Sequence, residues 1–189
     1  TGEVREKVPV VLSAGGKHAE LILANGEKMK LENSDSLQVD LGAGNQLVNK
    51  DNQLVYQGEE TGELQYNELQ IPRGGEYQVK LADGTIVRLN SGSSLRYPVA
   101  FGKEKREVVL KGEAYFQVAH DRQKAFVVVT DDIEVKVYGT EFNINTRVAD
   151  YVQTTLVRGA VSIKTERSAE KMLKPGQLAQ FDRLTGETE

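Results

Sequence analysis

The 189-residue chain has 39% hydrophobic and 28% charged residues and a formal net charge of -4, a balance that can bury a core and excludes a disordered tail. It contains no cysteine, which removes disulfide staples, cysteine catalysis and thiolate metal sites together. Lysine and arginine are scattered rather than gathered into a basic stripe with aromatics, which argues against nucleic acid as the main partner.

In chain order, Thr1 to Lys7 show no organised pattern and read as the start of a linker. Val8 to Leu12 is strand-sized, as is Ala125 to Val129. Neither approaches the ~20 residues of a membrane helix or the ~7–15 of a signal-peptide core. With no initiator Met, the chain is expected to be an excised segment whose membrane or targeting elements lie outside it. The absence of cysteine suits the periplasm.

From Gly15 a glycine-led strand, the turn residues Ala24-Asn25-Gly26 and a return strand to Leu31 predict a hairpin. Leu37, Val39 and Leu41 alternate with polar residues, and Leu47 to Tyr56 has room for two more short strands. After a boundary near Gln70 to Arg73, Tyr77, Val79 and Leu81 alternate again. Asp83-Gly84 is expected to supply two positive-φ positions of a tight turn, and Val87 and Leu89 carry the return strand. Val108 to Leu110, Ile133 to Val137, Phe142 to Ile144 and Val161 to Ile163 continue the strand signal. Glycines 84, 92, 102, 112, 139, 159 and 176 punctuate these runs. No segment has a capped helical stripe. The pattern predicts an all-β fold, a sandwich or roll of short antiparallel strands with tight hairpins and no major helix. Residues 1–7 form a linker start, 8–70 an N-terminal β lobe and 71–189 a second β domain.

The chain echoes itself. Ala24-Asn25-Gly26 aligns with Ala82-Asp83-Gly84 at an offset of 82 − 24 = 58. The preceding double glycines are out of step by one residue. Counted from the glycines, His18 takes the place of Tyr77 and is expected to point toward packing. A fainter echo pairs Gly112 to Phe116 with Gly159 to Ile163.

Residues that could carry chemistry do not assemble into a pattern. His18 and His120, the only histidines, sit on distant hairpins, and a metal site would need both plus carboxylates. In a strand the pairs Asp131-Asp132 and Glu59-Glu60 would point to opposite faces, so they read as turn residues. Asp40 to Asp51 has the length of a calcium loop but lacks its oxygen ligands, its glycine and its closing glutamate, and so reads as a turn and a strand. Ser91-Gly92-Ser93-Ser94 lies between strands, without a nucleophile elbow. Lys103-Glu104-Lys105-Arg106 reads as a solvated hairpin tip. With no Trp, and with Tyr77, Phe116, Phe126 and Phe142 in the apolar register, aromatic platforms for sugars are scarce. No catalytic, cofactor-binding or metal residue is assigned.

The order of motifs resembles the periplasmic region of FecR-type anti-sigma factors, especially the Bacteroidetes branch. The resemblance rests on Pro72, Gly74-Gly75, Tyr77, Leu81, Asp83-Gly84-Thr85, Val87 and Leu89-Asn90, then Ser94-Leu95, Tyr97-Pro98 and Phe101. It continues through Arg106, Leu110, Gly112-Glu113-Ala114-Tyr115-Phe116, Val118, Phe126, Val128, Gly139-Thr140 and Phe142-Asn143. Thr154 to Val157, Gly159, Val161 and Lys174-Pro175-Gly176-Gln177 complete it. The departures are Gln117, Ala125 and Tyr138, where the family commonly has Glu, Pro and Leu.

The resemblance implies a non-enzymatic segment of a single-pass inner-membrane regulator. Such a protein holds an extracytoplasmic-function sigma factor inactive and responds to the signalling domain of a TonB-dependent outer-membrane transporter. The transporter would be met through a C-terminal domain, and the sigma factor through a cytoplasmic segment, both outside this chain. No cofactor, small-molecule substrate or nucleic acid is implied. The rival from another class is a glycan- or surface-binding β-sandwich module.

Overall fold

Alternation of apolar and polar residues puts one face of each strand in the core and the other in water, and the computed structural model builds strands wherever that alternation runs. It describes residues 16–32, 37–42, 45–50, 53–57, 64–167 and 169–189. Among these are eighteen strands and no helix, so none long and apolar enough to cross a membrane. In the first part of the chain they are β1 (His18–Ile22), β2 (Lys28–Glu32), β3 (Leu37–Gly42), β4 (Asn45–Lys50), β5 (Gln53–Gln57) and β6 (Tyr66–Gln70). The centre holds β7 (Tyr77–Lys80), β8 (Ile86–Leu89), β9 (Ser94–Pro98), β10 (Arg106–Lys111), β11 (Glu113–Gln117) and β12 (Phe126–Val129). The last third adds β13 (Glu134–Val137), β14 (Glu141–Asn145), β15 (Tyr151–Arg158), β16 (Val161–Lys164), β17 (Lys171–Leu173) and β18 (Leu178–Asp182).

Two nine-stranded sheets result. Sheet one runs β17-β16-β13-β12-β10-β9-β6-β1-β2, and sheet two runs β18-β15-β14-β11-β8-β7-β5-β4-β3. Their inner faces share one apolar core that extends from Leu21, Leu31 and Leu47 at one end to Ile163, Leu173 and Phe181 at the other. Phe116 stacks on Phe142 at 5.0 Å between ring centres and meets Phe126 edge-on. The expected all-β sandwich is present, with one addition. β5–β7 and β10–β12 pair in parallel, because β6 and β11 cross to the opposite sheet before the chain returns beside its starting strand. Period-two patterning is the same in either pairing sense, so sequence could not distinguish them.

The two echoed hairpins share one turn geometry. Gly26 N–H donates to Leu23 C=O and Leu23 N–H to Glu27 C=O, at 2.8 and 2.9 Å; Gly84–Leu81 and Leu81–Thr85 repeat this at 2.9 and 2.8 Å. These are three-residue loops closed by a glycine at positive φ, 86° in Gly26 and 87° in Gly84. The expected two-residue Asp83-Gly84 turn is therefore shifted by one residue. Asp83 takes the third turn position, where its Oδ1 accepts the Thr85 N–H at 2.9 Å, just as Asn25 Oδ1 accepts that of Glu27. The register set by the turn also overrides the register counted from the glycines. Ala19, not His18, is buried opposite the place of Tyr77, and His18 is exposed.

Gly112 makes the corner between β10 in sheet one and β11 in sheet two. Its φ is 94°, and an added Cβ would lie 2.7 Å from the Ser93 Cα. Gly159 makes the equivalent corner from β15 to β16 with φ 98°, which is the structural content of the fainter echo. Gly112→Val combines a forbidden backbone conformation with a clash against main chain. It should cost about 3 kcal/mol or more, seen as a large fall in the thermal midpoint, whereas Gly26→Asn, in open space, should cost far less.

Candidate functional site

The residues singled out for chemistry stay apart. His18 stands at the start of β1, in a cleft with Glu20, Lys30 and Gln70, whereas His120 lies in a separate cleft beside Gly139 and Arg158. Asp131-Asp132 form the turn between β12 and β13, where Thr130 caps the backbone and Asp132 accepts from Arg183 Nε at 3.0 Å. Ser91 accepts the Gly74 N–H, and Ser93 bonds the main chain of Glu113. Within Asp40 to Asp51, residues 40–42 end β3 and 45–50 form β4, whereas 43, 44 and 51, like Thr1–Lys7, Val8–Leu12 and Glu59-Glu60, lie outside the described residues. Among the described residues, no three His, Asp or Glu side chains gather into a metal-binding group.

Sequence reasoning missed the most constrained polar group. Arg106, expected on a solvated tip, is 2% exposed at the start of β10. Its Nη1 donates to Asp83 Oδ2 and to the Ala119 carbonyl, both at 2.8 Å, and its Nε donates to the Lys124 carbonyl at 3.0 Å. The guanidinium carbon stands 5.5 Å from the centre of the Phe126 ring. Thr85, fully buried, donates its hydroxyl to the same Asp83 oxygen at 2.7 Å and accepts the Ala119 N–H at 3.1 Å. Asp121, whose carboxyl is held below its usual range by the Gln123 and Lys124 N–H groups, shapes the loop that presents these carbonyls. One arginine thus ties together the second hairpin turn in sheet two, β10 in sheet one and the β11–β12 crossover. The available signal was an Arg two residues before Val108, in step with the buried positions Val108 and Leu110.

The first hairpin is tied in by neutral groups. Asn67 Oδ1 accepts the Ala24 N–H at 3.0 Å, and its Nδ2 donates to the Tyr56 hydroxyl at 2.8 Å. Tyr56 and Tyr97 share a hydroxyl–hydroxyl bond of 2.8 Å. Burial pushes the Tyr56 phenol up to about 12 and raises that of Tyr97 as well.

Outward-facing side chains of sheet two form a polar ladder. Register aligns Gln78, Arg88, Tyr115, Asn143, Thr155 and Leu178 in one row across six strands. Gln78 Oε1 accepts Arg88 Nε at 2.8 Å, Tyr115 donates to Glu141, and Arg147 pairs with Glu113 at 2.7 Å. A recess of about 470 Å³ opens beside Arg88 and Tyr115. The row ends in apolar residues, with Leu178 and Val157 about half exposed and Leu184 89% exposed on the turn after β18. That turn is firmly built. Asp182 Oδ1 accepts the Leu184 and Thr185 N–H groups at 2.8 Å, and Arg183 donates to the carbonyls of Thr146, Val148 and Ala149. Among the described residues these side chains bring together no convergent acid–base pair.

A protein-family model described as FecR protein matches residues 67–171, more than half of the chain. Two crystal structures, each of a candidate anti-sigma factor from Parabacteroides distasonis ATCC 8503, are 33% identical in sequence, with TM-scores of 0.63 and 0.62. They cover 66% and 65% of this chain and 58% and 57% of their own, so the likeness spans less than two thirds of either solved chain. No curated protein matches.

Removing one partner of the buried pair leaves the other charge uncompensated. Asp83→Ala or Arg106→Ala alone should cost about 3–5 kcal/mol in denaturant melts, and a combined Asp83→Leu/Arg106→Met chain should lose distinctly less than the sum. The tyrosine pair predicts a pH effect at the alkaline end. Because folding raises the Tyr56 value from 10.0 to about 12, its contribution is complete below pH 10 and is lost as pH rises through 12. Tyr56→Phe should flatten the fall in stability over that window.

Proposed function

Because the chain belongs to the FecR family, we propose that it is the extracytoplasmic transmission segment of a single-pass anti-sigma factor in the inner membrane. It lies in the periplasm. It relays engagement of a TonB-dependent outer-membrane transporter to a membrane helix and a cytoplasmic segment that holds an extracytoplasmic-function sigma factor. The observation that carries this reading is the family match over residues 67–171, and the solved relatives described as candidate anti-sigma factors support it.

The fold suits such a role. Strands lie across the long direction of the sandwich, and eight strand spacings of about 4.8 Å give each sheet a width of roughly 38 Å. β1 lies next to the β2 edge at one end, and β18 lies at the other, so a contact made at one end reaches the opposite end through one shared core. Close-packed interiors transmit displacement rather than absorb it. The role is mechanical and interactive, with the polar ladder and the exposed Leu184 end available to partners, and no step of bond chemistry.

In the native host, a reporter driven by the cognate sigma factor tests this. Deleting residues 67–171 from the full-length regulator should uncouple the reporter from the inducing nutrient while the regulator remains in the membrane. Normal induction by the deleted protein would rule the reading out.

A further inference from the structure

The two ends of the sandwich finish their sheet edges differently. At one end β17 is only three residues long. Beside it, the outer edge of β18 is covered by Glu187–Glu189, with Gln180 and Glu189 exchanging main-chain hydrogen bonds at 3.0 and 2.9 Å. At the other end, β2 carries the exposed Lys28 and Lys30, residues that blunt an edge against pairing. β3 is less guarded, with the exposed Asp40 and a bulge between Asp40 and Gly42 near its C-terminal end. It is six residues long, contains no Lys or Pro, and among the described residues pairs only with β4. Behind it the core is incompletely covered, since Val39, Leu41 and the neighbouring Met29 pack on the core yet remain partly exposed.

We propose that β3 is a self-association edge, pairing antiparallel with β3 of a second copy of this chain about a two-fold axis through Val39. Sheet two then runs continuously from one copy into the other. The segment Leu37-Gln38-Val39-Asp40-Leu41 reads as a palindrome of apolar and polar residues, which a two-fold axis requires of its own contact. With the axis at Val39, each Val39 faces its equivalent, Leu41 faces position 37, and Gln38 faces Asp40. The Gln38 amide donates one N–H to Gln46 Oε1 at 3.1 Å, and its second N–H then meets a carboxylate. Moving the axis to position 40 sets Asp40 against Asp40, and like charges directly opposite are unfavourable. A half-residue shift turns every side chain to the wrong face. The palindrome selects one register.

Sedimentation velocity on residues 1–189 from low to high micromolar concentration tests the proposal, together with oxidation of single-cysteine variants, which the cysteine-free chain makes clean to read. The expected results are a concentration-dependent monomer–dimer equilibrium and a disulfide-linked dimer from Val39→Cys but not from Met172→Cys at the opposite end. Val39→Lys should weaken association by about tenfold or more while the chain still melts cooperatively. Should Val39→Lys fail to fold, the cysteine comparison decides alone. A monomer at every concentration, without a Val39→Cys cross-link, would overturn the proposal, as would equal cross-linking from both cysteines. Neither result depends on the sigma-factor reporter, so this contact and the regulatory reading fail separately.

Discussion

The buried pair of Arg106 and Asp83 is the constraint around which the second half of the sandwich is arranged. A guanidinium that is 2% exposed needs partners for its donors, and here Nη1 and Nε find theirs on two separate segments while Nη2 is buried without one. The carboxylate is supplied by a hairpin turn and the carbonyls by a crossover loop. None of these can move far without leaving a charge or a donor unpaired. The pair is therefore better understood as fixing one geometry than as adding net stability, since the cost of desolvating two charges offsets much of their attraction.

The first hairpin shows the same problem solved without charge. Its turn has the hydrogen bonds of the second and the same side-chain contact, Asn25 in place of Asp83. It is held instead by Asn67 and the hydroxyls of Tyr56 and Tyr97. The two units even meet, through the Gly16–Gly75 bridge and the Glu76 N–H donated to Gly16 C=O at 3.2 Å. One hairpin lies in each sheet, β1–β2 at the end of sheet one and β7–β8 in the middle of sheet two.

With its sheets joined by one core and its turns resting on buried clamps, the chain is built to hold shape. Its chemistry-capable side chains are spread over turns and edges, where they cap backbone groups, as Thr130, Ser93 and Asp182 do. The polar ladder of sheet two runs toward the firmly held Leu184 turn, and β3 is the edge at the opposite end of the same sheet.

Strand positions were legible in the sequence because burial on one face imposes period two, and turns because glycine marks backbone that other residues avoid. Both are local constraints, read from Leu37 to Leu41 or from Ala82 to Gly84 alone. Local alternation also placed Tyr77, Phe116, Phe126 and Phe142 in the core, where they are found. It could not show that β10 pairs β12 in parallel, since side-chain alternation is blind to strand direction. Nor could it show that Arg106 is buried, because a charged residue beside Lys103 and Lys105 looks solvated until its partners, 23 residues before it and 13 and 18 after it, are brought around it. His18 was misplaced for a related reason: a double glycine sets no register, whereas a closed turn does. The sequence alone determined which large apolar residues face inward and, to within a residue, where the chain turns. Tertiary structure decided which strands meet and which charge is enclosed, because those depend on segments that only folding makes neighbours.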